Sequence, residues 1–268
     1  GIGDAAELQA HCIAVQHHLP QVGKNLSDHI DYVMAWRIND PKHLIGFTPR
    51  SLFNLAKNWQ RYRRERRGMF ATNYAEVTAF DKLHPDSPRP EVQYEVVIGV
   101  AANHGRTLVP WTGMSCHVLC LRPKSRGTVS LLSNDWRTAP RIDPAFLQHP
   151  DDIATLIEGS KRAHKAFTQS PNMAPHITHD VFTAHCRSDA DWEDAIRSRA
   201  DTNYHPVGTC RMGTDADAVV DARTLKVNGI DGLRISDASV MPAIVGGNTT
   251  ATTLMIGERC ADMILQSL

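Results

Sequence analysis

HPVGTCRMG at residues 205–213 and RISDASVMPAIVGGNTTATTLMIGERCADMI at residues 234–264 decide the fold of this chain. Residues 233–236 form a short apolar run typical of a buried strand, and Asp237 ends it. Pro242, Gly246 and Gly247 then indicate a loop that can approach a ligand closely, because glycine has no side chain to hold the ligand away. The pattern predicts a strand, a close-approach loop and a helix, in that order.

Residues 248–264 carry the signals of a helix and of its start. Asn248, Thr249 and Thr250 are residue types that cap helices, because their side-chain oxygens accept the backbone N–H groups of the first turn. Apolar residues then recur mostly at three- and four-residue spacings and predict an inward face; they are Ala251, Leu254, Met255, Ile256, Ala261, Met263 and Ile264. The start of a helix carries about half a positive charge, so this one suits a phosphate or an electron-rich ring.

These residues resemble the C-terminal signature of the glucose-methanol-choline (GMC) family of flavin-dependent alcohol oxidoreductases. In that signature HPxGTCxMG precedes D-A-S-x-x-P, then G-N-x-x-A and a helix. Three further segments are similar to family segments in the same order: VGKNLSDH at 22–29 to VGxNLxDH, RRGMFATNYAEVTAF at 66–80 to RxGPxASNxxEAxAF, and LRPKSRGTVSL at 121–131 to LxPxSRGxVxL. Four ordered matches across almost the whole chain are far more specific than one short motif.

The family's glycine-rich GxGxxG fingerprint, which opens a βαβ unit and receives the FAD pyrophosphate, does not occur in the sequence. The resemblance therefore implies that this chain is the C-terminal half of a larger enzyme whose N-terminal FAD-binding half is missing. We expect the isolated chain to bind FAD weakly or not at all and to be inactive. A rival interpretation is a non-catalytic piece that binds a substrate or a partner.

Composition excludes several classes of protein. Lysine plus arginine and aspartate plus glutamate both number 29, so no net charge attracts nucleic acid or an anionic membrane. Apolar residues are 42% of the chain, enough at this length to bury a core in one or two domains. No apolar run of about 18 residues occurs, so no transmembrane segment is expected. The six cysteines form no CxxC pair, which favours reduced thiols and a cytoplasmic protein. A targeting signal on the missing half would change that localisation.

The periodicity predicts helices at 5–11, 51–67, 153–169 and 189–198, and strands at 13–16, 31–38, 92–100, 114–121 and 127–132. This order favours an α+β domain with a mostly antiparallel sheet and helices on one side. By the resemblance, residues 31–200 are the substrate-binding domain, whereas 1–30 and 201–268 are terminal segments of an α/β FAD-binding domain. The basic run RYRRERRG at 61–68 is interpreted as the solvated face of its helix, which ends at Gly68.

His205 is the candidate general base. Pro206 restrains the backbone beside it and Gly208 allows a tight turn, and histidine has an ordinary pKa of about 6.5. The chain has 14 histidines, so a surface or core role is the default for any one of them, and the motif is what favours His205. The resemblance implies that His205 removes the hydroxyl proton of an alcohol while the carbinol carbon delivers hydride to flavin N5.

Asn248 lies where the family has either a histidine or an asparagine. Its local sequence favours helix capping, whereas the resemblance implies that its amide hydrogen-bonds the substrate hydroxyl and the developing alkoxide. The resemblance also assigns Asp237, Ala238, Asn248, Thr249 and Thr250 to FAD, with the helix start facing the flavin pyrimidine edge. No metal site is expected, because HPVGTC lacks the spacing and the second ligand pair of a zinc site.

Other residues are assigned by the resemblance alone. Asn73, Tyr74 and Glu76 fall in a segment that borders the substrate pocket in relatives; Tyr74 replaces a glycine of many relatives, and Glu76 either meets a cationic substrate or caps a strand. Asn25, Asp28 and His29 are interpreted as structural residues, with contact to a lid over the active site as the one functional alternative. A hydrolase is disfavoured because no GxSxG elbow occurs. Choline-like, aliphatic and aromatic alcohols all remain open as substrates, and so do oxygen and a quinone-type carrier as electron acceptors.

Overall fold

The structure is a computed structural model that describes residues 1–40, 42–100, 107 and 109–267. Within these residues the helices are α1 Ala5–Ala10, α2 Pro49–Glu65, α3 Pro150–Thr168, α4 Asp189–Arg199 and α5 Thr250–Leu265. The strands are β1 Ile2–Gly3, β2 His17–His18, β3 Ile30–Ile38, β4 Ala75–Asp81, β5 Val92–Val97, β6 Gly113–Cys120, β7 Thr128–Ser130, β8 Arg141–Asp143, β9 Ile177–Asp180, β10 Asp201–Thr202, β11 Met212–Gly213 and β12 Val220–Asp221. None of the helices described here has the length and apolar character needed to cross a membrane.

The chain divides into two compact units. Unit 1 comprises Gly1–His29, Leu121–His149 and Thr202–Leu268, and unit 2 comprises Ile30–Cys120 and Pro150–Asp201. The outer boundaries lie within one or two residues of the divisions predicted at 30/31 and 200/201. Residues 121–149, which the sequence prediction included in the middle domain, group instead with the terminal segments. The assignment of these units to FAD and to substrate stays a prediction.

Unit 2 is built on an antiparallel sheet, and the predicted fold class is confirmed to that extent. Its strands run in the order β3-β6-β5-β4, and β9 also pairs with β3. β3 is buried along its length except at Arg37, which is the pattern of a central strand covered on both faces. β4 is the edge strand and is largely exposed.

Helix α3 covers one face of this sheet. A Cβ atom added to Gly159 of α3 would lie 3.0 Å from a methyl group of Val92 and 3.2 Å from one of Val118, so the missing side chain lets the helix approach the strands closely. The Tyr94 hydroxyl donates to the Gly159 carbonyl at 3.2 Å. On the same face, the ring centroid of Trp36 lies 4.8 Å from that of Phe167 in α3.

Unit 1 contains little regular structure besides α5. Its strands form three two-stranded pairs: β1 with β2, β7 with β8, and β11 with β12. Its core is an apolar cluster drawn from loops and from α5: Leu19, Val207, Val219, Val220, Leu225, Val227, Val240, Met241, Ile244, Ile256 and Cys260. The loop that follows His205, through Val207, and the loop that precedes α5, through Ile244, therefore pack on a common core.

Three element predictions are wrong. Residues 13–16 are not a strand, and the short strand lies at His17–His18. Residues 233–236 make only an isolated bridge through Arg234, with Leu233 exposed, because a strand needs a continuous partner for its N–H and C=O groups. Helix α2 ends at Glu65, and Arg66 after it adopts the left-handed conformation, so the helix does not extend to Gly68.

The predicted inward face of α5 is also largely wrong. Ile256 and Cys260, four residues apart, are its buried positions, whereas Leu254, Met255 and Ile264 are exposed. Apolar residues occur around the whole circumference of this helix, so spacing alone does not say which face packs.

Candidate active site

The segment 22–29 holds the histidine loop against the loop that precedes α5. Asn25 donates from Nδ2 to the carbonyl of Gly208 at 3.3 Å and to that of Pro242 at 3.4 Å. Ser27 and Val207 exchange backbone hydrogen bonds at 3.0 and 2.8 Å. Residues nearly two hundred positions apart in sequence are thereby fixed in one site of unit 1.

Gly208 is required by this contact. Its φ is +94°, and an added Cβ would lie 2.5 Å from the carbonyl oxygen of Asn25 and 2.9 Å from its Nδ2. A side chain here would therefore be strained in its backbone and would displace the segment that holds the loop. The predicted tight turn after His205 is confirmed.

His205 is buried, with 9% of its surface exposed, and a second histidine supports its ring. Nδ1 of His205 lies 3.0 Å from Nδ1 of His29, and the two rings meet edge to face. His29 is fully buried, and its Nε2 lies 3.0 Å from the carbonyl oxygen of Val245. His29 therefore connects His205 to a residue three positions before Asn248.

The partners of His29 decide which nitrogen of each ring carries the proton. The Val245 carbonyl only accepts, so Nε2 of His29 is protonated. Burial, and then the neighbouring His205, lower the pKa of His29 to about 4, so the ring is neutral near pH 7 and its Nδ1 accepts. Nδ1 of His205 consequently donates to it, and in a neutral His205 ring the lone pair then lies on Nε2, the nitrogen suited to accept a proton.

Asn203 makes a longer contact to the same nitrogen. Its Nδ2 lies 3.4 Å from Nδ1 of His205. The oxygen and nitrogen ends of an amide have the same shape, so the Asn203 amide can be placed with its oxygen toward Nδ1 of His205. The oxygen then accepts from the N–H that the contact to His29 places on Nδ1. The shorter, buried contact to His29 therefore determines the tautomer.

Asp28 fixes the backbone of the histidine loop. Its Oδ1 accepts from the backbone N–H of His205 at 2.9 Å, and its Oδ2 accepts from the Thr202 hydroxyl. Burial raises the pKa of this carboxyl group, while the hydrogen bonds from Thr202 and from the His205 backbone oppose that rise. Asp28 thus holds the backbone of His205, and its neighbour in sequence, His29, holds the ring.

The start of α5 lies after this site and differs from its predicted form. Thr249 is the residue before the helix, but its backbone is already helical and its side chain makes no capping hydrogen bond. The prediction of capping by its hydroxyl is therefore wrong, since an extended backbone is what turns a cap side chain back onto the first turn. Asn248 and Thr250 are exposed, and Thr249 is buried.

Asp237 and Ala238 begin a short 3-10 helix at Ala238–Val240 instead of ending a strand. Oδ1 of Asp237 accepts from the Ser239 backbone N–H at 2.8 Å, a local side-chain hydrogen bond typical of a turn. Asp237 is exposed, and Ala238 packs against the apolar core of unit 1.

Comparisons with known proteins agree with these sequence motifs. The family model described as GMC oxidoreductase matches residues 123–257, which is half of the chain. The chain belongs to the GMC oxidoreductase family. It is 40% identical to the alcohol dehydrogenase (acceptor) of Pseudomonas putida, over 100% of this chain and 48% of that protein. It is 34% identical to the oxygen-dependent choline dehydrogenase of Klebsiella pneumoniae, over 98% of this chain and 47% of that protein.

The fold of this GMC chain is also that of solved oxidoreductases. Formate oxidase of Aspergillus oryzae RIB40 superposes with a TM-score of 0.88 at 26% identity, covering 100% of this chain and 51% of that one. The chain spans about half the length of the curated relatives it matches.

The pocket residues predicted from the GMC motif lie in unit 2. Asn73, Tyr74 and Glu76 are exposed, and Glu76 lies in an irregular part of the pairing between β4 and β5. Tyr74 has a φ of +65°, in the left-handed region that favours glycine. Their role at a substrate pocket stays a prediction.

Sequence reasoning missed the direct role of Asp28 and His29 at the site. Both were interpreted as structural, whereas the structure places them on the backbone and the ring of His205. The available signal was the pair itself, a carboxylate next to a histidine in VGKNLSDH, but the contact spans 176 positions. Spacing along the chain could not reveal it.

The neutral state of His29 makes stability depend on pH. The pKa of histidine is about 6.5 in the unfolded chain, and that of folded His29 is about 4. The stabilisation that comes from burying a neutral His29 is therefore complete above pH 6.5 and is lost as pH falls from 6.5 towards 4. Between pH 7 and pH 5 we expect the free energy of unfolding to decrease by about 2 kcal/mol through this residue. Urea unfolding measures it, and His29→Gln, which has no such proton, is the control. An equal decrease in both proteins would contradict the burial of a neutral His29.

Proposed function

We propose that this chain supplies the substrate side of an FAD-dependent alcohol oxidoreductase that converts an alcohol to an aldehyde or ketone. The observation that supports it most is the His29–His205 pair, because it leaves a buried histidine with its lone pair on Nε2. The similarity to alcohol and choline dehydrogenases agrees with an alcohol as substrate.

His205 acts as the general base. Its Nε2 accepts the hydroxyl proton of the alcohol, and the positive charge that forms on the ring is delocalised toward Nδ1, which donates to His29. Because Asp28 fixes the backbone of His205, the ring needs little rearrangement to meet the substrate. The general contribution of such a base is about 10²–10⁴-fold in rate.

Asn248 holds the substrate oxygen. Its amide N–H donates to the hydroxyl and then to the alkoxide that develops as the proton leaves, and an amide does so without taking the proton. It follows Val245 by three positions, and the Val245 carbonyl is fixed by His29. The same histidine therefore orients the base and the loop that carries Asn248.

The start of α5 has the donor chemistry that a flavin needs. Thr249 does not cap the first turn with its side chain, Thr250 is exposed, and Gly246 exposes the backbone of the preceding loop. Asn248, Thr249 and Thr250 would hold the pyrimidine edge, and Asp237 and Ala238 the phosphate and ribityl part through their backbone. When bound, FAD supplies at N5 the acceptor of the hydride.

We further propose that the FAD-binding half is contributed by sequence outside these 268 residues. Leu254, Met255 and Ile264 of α5 are exposed, and several large apolar side chains left in solvent on one helix are typical of a surface that another segment covers. The electron acceptor is oxygen or a quinone-type carrier, and the alcohol is choline-like, aliphatic or aromatic.

A comparison of the full-length protein with the 268-residue chain tests this function. We expect the full-length protein to purify with bound FAD, whose absorbance is bleached when a substrate alcohol is added without oxygen. We expect the isolated chain to bind FAD weakly or not at all, because the GxGxxG fingerprint that receives the pyrophosphate does not occur in it. A panel of choline, aliphatic and aromatic alcohols, under oxygen and with a dye acceptor, then identifies the substrate and the acceptor. A full-length protein that lacks flavin, or whose flavin no alcohol bleaches, contradicts the proposal.

A further inference from the structure

Helix α2 presents large apolar side chains to solvent. Leu52 is 50% exposed, Phe53 61% and Trp59 51%. Leu52, Ala56 and Trp59 follow the four- and three-residue spacings of one helix face, and Ala56 is exposed as well. Contiguous apolar exposure of this kind marks an interaction surface, whereas single exposed apolar residues do not.

The same helix and the two residues after it concentrate positive charge. The whole chain has a formal net charge of zero, yet seven of its lysines and arginines lie at positions 50–67 with Glu65 as the one acidic residue among them. All seven are exposed; they are Arg50, Lys57, Arg61, Arg63, Arg64, Arg66 and Arg67. The balance of charge over the whole chain therefore conceals a strongly basic surface.

The cations border and cross the apolar face. Lys57 lies one turn from Phe53, with its Nζ 4.5 Å from the centre of the Phe53 ring. Arg63 lies one turn beyond Trp59, on the same face by helical spacing. The Trp59 ring also contacts Phe70 edge to face at 5.6 Å, so this face is held in place while half of the indole remains exposed.

We propose that α2 is a docking surface for an anionic lipid bilayer. Leu52, Phe53 and Trp59 enter the boundary between headgroups and acyl chains, while the arginines and Lys57 bind lipid phosphates. An apolar face bordered by Lys and Arg, with Trp and Phe on it, is the composition of a helix that lies in the membrane interface. A symmetric contact with a second copy is disfavoured because it would bring two sets of seven cations together.

Co-sedimentation of the full-length protein with vesicles tests this proposal. We expect it to pellet with vesicles containing phosphatidylglycerol and to stay in solution with pure phosphatidylcholine. Salt at about 1 M, where the screening length is about 3 Å, releases it. Absence of binding to the anionic vesicles overturns the proposal. So does a concentration-dependent dimer that lacks vesicle binding and that Leu52→Ser disrupts, which assigns the face to a second copy.

Paired variants separate this surface from the charge of the whole protein. Arg63→Gln with Arg64→Gln lowers the vesicle partition coefficient about tenfold or more, and Leu52→Ser with Phe53→Ser lowers it similarly by removing apolar anchors. The matched control is Arg137→Gln with Arg141→Gln, which removes the same charge from side chains 72% and 67% exposed, and it binds as the wild type does. Equal losses in the two arginine pairs, or no loss in the α2 pair, contradict docking through α2.

Discussion

We expect replacement of His205 by glutamine in the full-length protein to slow flavin reduction by alcohol by about 10²–10⁴-fold, the range that a positioned general base contributes. Glutamine fills similar space and can hydrogen-bond to His29, but it cannot accept the hydroxyl proton. FAD remains bound, because His205 holds none of the cofactor in the proposed site. Anaerobic stopped-flow bleaching of the flavin measures the rate, and the flavin-to-protein ratio checks the cofactor.

A matched control distinguishes this effect from the loss of any histidine. His176 lies on an exposed 3-10 helix in unit 2, and His176→Gln should reduce flavin at the wild-type rate. An unchanged rate in His205→Gln would remove His205 from the mechanism. A loss of FAD along with the rate would instead indicate damage to the cofactor site.

We expect His29→Leu to produce the second large effect, a decrease of about 100-fold in the rate of flavin reduction, the lower end of what a general base contributes. Leucine fills much of the buried space but neither accepts from Nδ1 of His205 nor donates to Val245. The His205 proton is then no longer held on Nδ1, and a base in the wrong tautomer cannot accept at Nε2. The pH dependence of the reduction rate shifts together with its magnitude.

His29→Gln is the conservative partner of that variant. Its amide oxygen can accept from His205 and its amide nitrogen can donate to Val245, so it restores both hydrogen bonds. We expect its rate to lie within about tenfold of the wild type. If the leucine and glutamine variants lose rate equally, while their melting temperatures match, His29 serves packing and does not set the tautomer.

The local geometry of the candidate site was predictable from sequence where one short segment carries it. The motif at 205–213 singled out His205 as a candidate, a role that stays a prediction, and the tight turn predicted at Gly208 is present with φ +94°. The mostly antiparallel sheet of unit 2 was predicted because its strands have strong apolar patterns, as β3 and β6 do. These features depend on residues that are neighbours in the chain.

What the sequence did not predict depends on distant contacts. The role of His29 comes from a partner 176 positions away. The apolar pattern of residues 233–236 predicts a strand, but the segment makes only a single isolated bridge, through Arg234. Strand β4 was not predicted although residues 75–79 alternate apolar and polar side chains; its place at the exposed edge of the sheet comes from its pairing with the distant strand β5. Residues 121–149 belong with unit 1, a grouping made by tertiary packing alone.

The proton positions on His29 and His205 test the central claim most directly. Nitrogen NMR of protein labelled with ¹⁵N-histidine reports which ring nitrogens carry a proton, and His29→Gln and His205→Gln assign the two sets of signals. At pH 7 we predict a neutral His29 protonated at Nε2 and a His205 protonated at Nδ1 with an unprotonated Nε2. A His205 whose proton lies on Nε2, or a His29 charged at this pH, would contradict the account.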